Sequence, residues 1–293
     1  MLTRTPKTST PQKGTAMLTT TNAGAILTPA QVDELLVKPV LANSVAMNVA
    51  KVIRTSESSL RLPVLNADAS AAWTPEGTEI AVSDADITEI DVTFSALKGL
   101  SVVSNELVAD SNPEASGIVG ASLARDIAKK LDAAFFGTTV NNGPAGIGSV
   151  SGAQAVATGT AFANLDPFHE AIAKAEEVGA SVRAFVTSPA VALSLAKLKT
   201  GTGSNTHLLG PDPTSPTNRT LAGVPLYVSQ FVEANTVWAV PAERTVIGLR
   251  QDVSVETDRS AFFSSDRTAI RAVLRAGFGF PHAEAIIKIT VTP

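Results

Sequence analysis

The chain has 293 residues, 44% of them hydrophobic and only 5% aromatic, with a formal net charge of -4 and no cysteine. That apolar content supports a folded core. The acidic balance excludes a dedicated nucleic-acid binder, and the lack of thiols excludes disulfides, thiolate metal sites and cysteine nucleophiles. No apolar stretch approaches the roughly 18 residues of a membrane helix and the N-terminal residues lack a continuous apolar signal core, which reads as a soluble protein made in a cytoplasm.

In chain order, residues 1–27 are rich in Thr, Ser, Pro and Gly and place Arg4, Lys7 and Lys13 ahead of any acidic side chain. The segment reads either as a solvated leader or as a tail facing DNA or scaffold. Thr28-Pro29 then offers an N-cap and a first-turn proline to a short helix carrying Val32, Leu35 and Leu36.

From Val52 to Ser104 the sequence reads as two polar, alternating strand arms around a turn-rich tip, with few large apolar groups of its own. Arms of about 20 residues at roughly 3.3 Å each would reach ~60 Å. An isolated two-stranded ribbon is marginal in water, so this ribbon is expected to lie on another subunit. Trp73, at its tip, is either part of a local cluster or an anchor into a neighbour.

Ser104 to Asp110 suggests one or two helical turns, and Ser111-Asn112-Pro113 restarts a helix that runs to Phe136. Val119, Leu123, Ile127, Leu131 and Phe135 recur at every fourth residue, with Gly117, Gly120 and Ala121 allowing close approach and Gly137 as the stop. About 24 residues at ~1.5 Å rise give a spine of ~36 Å. Beyond a glycine-rich stretch, Asp166-Pro167 opens a helix to Val178, Arg183–Thr187 reads as a strand, and Ser188-Pro189 opens a helix to about Lys199. A polar Gly/Pro loop over residues 201–218 precedes strands at Val224–Ser229, Val237–Val240 and Thr245–Leu249. Ile270, Val273, Phe278, Phe280, Ile286, Ile287, Ile289 and Val291 suit sheet positions. Helices and strands are thus mixed, an α+β class.

Chemistry is sparse. His169, His207 and His282 stand apart, without the spacing of a metal site or an acid–base relay. Gly146-Ile147-Gly148 opens no βαβ unit and lacks the third glycine of a dinucleotide loop. Glu176 and Glu177 are helix neighbours and point to different sides. No catalytic residue, metal or cofactor is expected. Arg267, Arg271 and Arg275 recur at every fourth residue in a strand-like stretch, either as a charged sheet edge that blocks unwanted pairing or as partners for carboxylates of a neighbour's ribbon such as Glu76 and Asp84.

The segments AWTPEGTEIAVSD, DVTFSALKGLSVVSNELVADS, LARDIAKKLDAAFFGT and PAGI, then LAGVPLYVSQFV, VWAVPAERTVIGLRQDVSVETD and RAGFGFPHAEAIIK, in this order and spacing, resemble the tailed-bacteriophage major capsid protein of the Hong Kong 97 fold from Ile26 onward. The resemblance implies an N-terminal arm over 1–51, an extended loop over 52–99, a peripheral domain over 100–149 and 251–293 with a spine helix over 113–136, and an axial domain over 150–250. It implies a non-enzymatic structural subunit whose hexamers and pentamers close an icosahedral virion shell around double-stranded DNA. Trp73, Glu76, Asp84, Arg267, Arg271 and Arg275 are then the expected subunit-interface residues. The implied partners are further copies of the chain, packaged DNA, a portal, a scaffold and a cement or decoration protein, with no membrane. The alternatives are an encapsulin-like nanocompartment shell and a gene-transfer-agent capsid. In crosslinking members a loop lysine joins an asparagine of a neighbour with help from a glutamate. Here no lysine lies between Lys51 and Lys98, and Asp266 and Val273 stand at the other two positions, which implies no isopeptide bonds. The short arm before Ile26 implies a separate scaffold, an N-terminus numbered after processing, or a start at Met17.

Overall fold

A computed structural model describes residues 44–106, 114–201, 204–209, 219–258 and 260–291. The expected short helix after Thr28-Pro29 and most of the expected turns over Ser104–Asp110 lie outside them. The elements are α1 (Val45–Val49), β1 (Lys51–Arg54), β2 (Ser59–Ala67), β3 (Asp86–Thr93), β4 (Ser95–Ser104), α2 (Glu114–Phe136), β5 (Gln154–Ala157), α3 (Asp166–Glu177), β6 (Ala184–Thr187), α4 (Pro189–Ala196), β7 (Thr220–Leu221), β8 (Val224–Val228), β9 (Thr236–Val240), β10 (Val246–Asp258), β11 (Arg267–Gly279) and β12 (Ile287–Thr290).

Three sheets form: β1-β10-β11-β4, β5-β12-β9-β6-β8-β7, and the ribbon β2-β3. In the first, β1 runs parallel to β10 and the other pairs are antiparallel. One of its faces carries α2. The fourfold apolar repeat of that helix puts Ile127, Leu131 and Phe135 into a core with Ile247, Leu249, Ala272, Leu274 and Ala276. Phe135 meets Phe278 edge to face at 5.1 Å, a geometry favoured by ring quadrupoles.

The second sheet is buried on both sides, which is why β9 reads as the unbroken run TVWAV rather than alternating. Val237 and Ala239 face a core with Phe168, Ala171 and Ala175 of α3 and with Val191 and Leu195 of α4. Trp238 and Val240 join the core beneath α2. The six-stranded sheet is therefore wedged between its own helices and the spine.

The structure corrects three expectations. The run from Val52 to Ser104 is not one ribbon, because β1 and β4 hydrogen-bond to β10 and β11 in the first sheet. Only β2 and β3 form the ribbon, with a ladder that ends at Ala67 and Asp86. Nine residues in β2 span about 30 Å, half the expected reach. The base of the ribbon also packs on its own chain, where Leu62, Val92 and Val246 are buried together. This contact needs glycine. A Cβ on Gly277 would stand 2.4 Å from the Thr93 carbonyl oxygen, and one on Gly279 2.6 Å from Leu62 Cδ1, so the trough that seats the ribbon exists because the end of β11 presents only glycine on that face.

Second, residues 251–293 do not stay together. β11 belongs to the first sheet, whereas β12 pairs with β5 and β9 in the second. Ile287 and Ile289 are buried in the α3/α4 core, which draws the strand there. Third, β11 is no edge, since it lies between β10 and β4.

Candidate assembly surfaces

Beyond the ladder, residues 68–85 turn over without regular strand and with nearly every side chain exposed. Trp73 is 103% exposed, so no local cluster covers it. Ile80 and Val82, at 75% and 93%, present further apolar area at the same tip. Large apolar groups scattered singly on a surface are ordinary, whereas these three share one projecting tip. Glu76 and Asp84 are exposed here, with no ion pair to either among the described residues. On the ladder itself Arg61 faces Glu89 and Asp91 across the strands at 3.8 and 3.5 Å.

Arg267, Arg271 and Arg275 project from one face of β11, as residues four apart on a strand must. Arg271 donates to Glu256 of β10, its cross-strand partner in the register, so this arginine has a carboxylate on its own chain. Arg267 is exposed and Arg275 is half-buried. The buried Arg275 Nε lacks a hydrogen-bond partner. The outer column continues onto β4, where Lys98 and Leu100 lie opposite Val273 and Arg271, Leu100 being 64% exposed.

At Asp266 the backbone takes the left-handed conformation, φ 49°, in the turn between β10 and β11. The Asn105 side-chain amide donates to its carboxylate at 2.7 Å, and the Asn105 N–H donates to its carbonyl at 3.1 Å. The residue that the resemblance sets at the crosslinking asparagine's position is thus a carboxylate held by its own chain.

A group that sequence reasoning missed is Asp132 on α2, 4% exposed. Its carboxylate accepts from Ser44 Oγ at 2.6 Å and from the N–H groups of Val45 and Ala46 at 3.0 Å each. It therefore caps α1 and clamps the end of the N-terminal arm to the spine. Burial raises its pKa above the usual carboxylate value, and these three hydrogen bonds pull it back in part. The only sequence signal was one acid on the apolar stripe of a helix, without a visible partner 88 residues upstream.

His207 contacts the Ala196 carbonyl oxygen and Lys199. His282 lines a cavity of about 690 Å³ between the ribbon base and the six-stranded sheet, with Val64, Asp68, Arg244 and Glu284. Burial first, then the Arg244 charge, holds its pKa down. Among the described residues no cluster of His, Asp and Glu suits a metal ion, and no helix is long and apolar enough to cross a membrane.

The architecture defines the class: a mixed helix-and-sheet subunit with the Hong Kong 97 type of fold. The model of the phage capsid family matches residues 24–291, and the chain belongs to that family. It is a structural major capsid protein of the virion shell. A structure of Microbacterium phage Oxtober96 superposes with a TM-score of 0.70 at 21% identity, covering 85% of this chain and 91% of that one. One of Mycobacterium phage Adephagia gives 0.71 at 17%, covering 85% and 90%. The capsid of an empty GTA particle, computed with C5 symmetry, gives 0.70 at 17%, covering 86% and 90%. At these identities the likeness is one of fold. No curated protein matches.

Proposed function

We propose that this chain assembles into hexamers and pentamers that close an icosahedral shell around double-stranded phage DNA. The observation that carries this is the ribbon tip. It offers Trp73, Ile80 and Val82 to solvent, and among the described residues nothing covers them. Ordering so exposed a segment is repaid when it is buried on a neighbour, and weak contacts spread over several neighbours sum to a cooperative closed shell. The subunit acts by geometry, without catalysis or cofactor. On this reading the ribbon is the extended loop, the α2 sheet with residues 100–149 and most of 251–293 is the peripheral domain, and 150–250 with β12 is the axial domain. Trp73, Glu76, Asp84, Arg267, Arg271 and Arg275 are interface residues, and assembly takes place in the host cytoplasm with portal, scaffold and cement proteins.

The likeness to the GTA capsid favours a second reading, a gene-transfer-agent shell. Expression with its neighbouring structural genes, electron microscopy and sequencing of the enclosed DNA test both. Closed particles holding one phage genome support the first, and particles holding random host fragments support the second. A protein that stays monomeric under all conditions contradicts both.

A further inference from the structure

We propose that the basic concavity between Lys51, Arg183 and Arg244 is the seat for the acidic ribbon tip of a second copy of this chain. This rests on the shell reading above and names the contact that closes its rings.

The concavity, about 770 Å³, is lined by Lys51, Ser181, Arg183, Ala242, Glu243 and Arg244. It lies at the start of β1, where three chain segments are fixed to one another by backbone hydrogen bonds. Lys51 N–H donates to Thr245 at 2.8 Å, and Arg183 N–H donates to Val240 at 3.0 Å. Lys51 and Arg183 are exposed and Arg244 is half-buried. No ion pair joins any of the three among the described residues, although Glu243 shares the rim. Three cations on hydrogen-bonded backbone with a single carboxylate beside them leave a local positive excess, which an incoming anionic surface relieves.

The complementary surface is on the same polypeptide. Between Arg61 and Lys98 the sequence holds no lysine or arginine, while the tip carries Glu76, Glu79 and Asp84. Among the described residues these three have no ion pair, in contrast to Glu89 and Asp91, which Arg61 already serves. Exposed Trp73, Ile80 and Val82 lie among them and supply the apolar area. A phosphate backbone would bring only charge, whereas a ribbon tip brings carboxylates for the three cations together with the apolar groups left exposed on it. Tip and concavity are different surfaces of one subunit, so the contact is head to tail, and head-to-tail contacts whose rotation closes make rings.

Three chains test this: K51E/R183E, E76K/E79K, and the chain with all four changes. The assembled fraction is read by sedimentation velocity and negative-stain microscopy, and folding by circular dichroism and thermal melting. Each pair is expected to lower the assembled fraction by about tenfold or more while the subunit stays folded, and the fourfold chain to return to within about twofold of wild type. If K51E/R183E misfolds, K51Q/R183Q serves in its place, with a smaller loss expected and a steeper loss of wild-type assembly as salt rises. A fourfold chain as defective as its parents, or either parent assembling normally, overturns the proposal. So does normal assembly of K51E/R183E with loss of packaged DNA, which would assign the concavity to nucleic acid. A wild-type chain that never assembles removes the shell reading itself, whereas failed rescue in an assembling system removes only this contact.

Discussion

Two residues show how single side chains carry the account. Asp132 is a buried carboxylate whose three donors come from the end of the N-terminal arm. Asp132→Ala strands those donors and is expected to cost about 2–4 kcal/mol of subunit stability, read by chemical denaturation. Its raised pKa also fixes a sign. The folded protein holds this proton more tightly than the unfolded chain does, so the group's contribution is fully present below the unfolded carboxylate pKa and is lost as pH rises through the folded one. The stability advantage of wild type over Asp132→Asn should therefore widen as pH falls from neutral through the carboxylate range; a narrowing gap would mean that the hydrogen bonds outweigh burial. On the proposed reading Trp73 serves assembly instead. Being fully exposed, it contributes nothing to the isolated fold, and Trp73→Ala should leave the melting temperature unchanged while removing about 2 kcal/mol from each intersubunit contact. Normal shells from that variant would remove its anchor role.

At the scale of elements, what the sequence revealed was local. The spine helix is legible because Ile127, Leu131 and Phe135 keep one stripe, and α3 and α4 because a proline stands in the first turn of each. What stayed hidden depended on distant partners. β10 runs 13 residues, but the polar stretch beyond Leu249 resembles loop unless β11 is known to lie beside it. The three arginines of β11 suggested an edge, yet Arg271 finds Glu256 across the ladder. Ile287 and Ile289 looked like strand residues without saying which sheet they join. The ribbon was recognised and its length misjudged, because β1 and β4 look no different from β2 and β3 until their partners are in place. The glycine trough makes a sharp case. Gly277→Ala puts a methyl against the Thr93 carbonyl and Val92, and overpacking of this kind costs about 1–3 kcal/mol. The expected result is a lower melting temperature together with faster hydrogen exchange over residues 59–93, local to the ribbon base. Unchanged exchange there would show that the trough does not seat the ribbon.

For the whole molecule, two sheets share a core beneath the spine, and one ribbon reaches past them. The core accounts for subunit stability and the ribbon for association, so the two properties should separate under mutation. Without a lysine between Lys51 and Lys98, and with Asp266 held by Asn105, shells should run as monomer on denaturing gels; ladders above the monomer would contradict this. Tip-to-neighbour contacts that are partly ionic should also weaken between low salt and about 1 M, where the screening length falls to ~3 Å. The most direct measurement is a cryo-electron microscopy map of assembled particles with the chain traced through residues 68–85. The account predicts density for the tip, with Trp73 enclosed, over a neighbouring subunit; a tip folded back onto its own subunit, with neighbours meeting elsewhere, would contradict it.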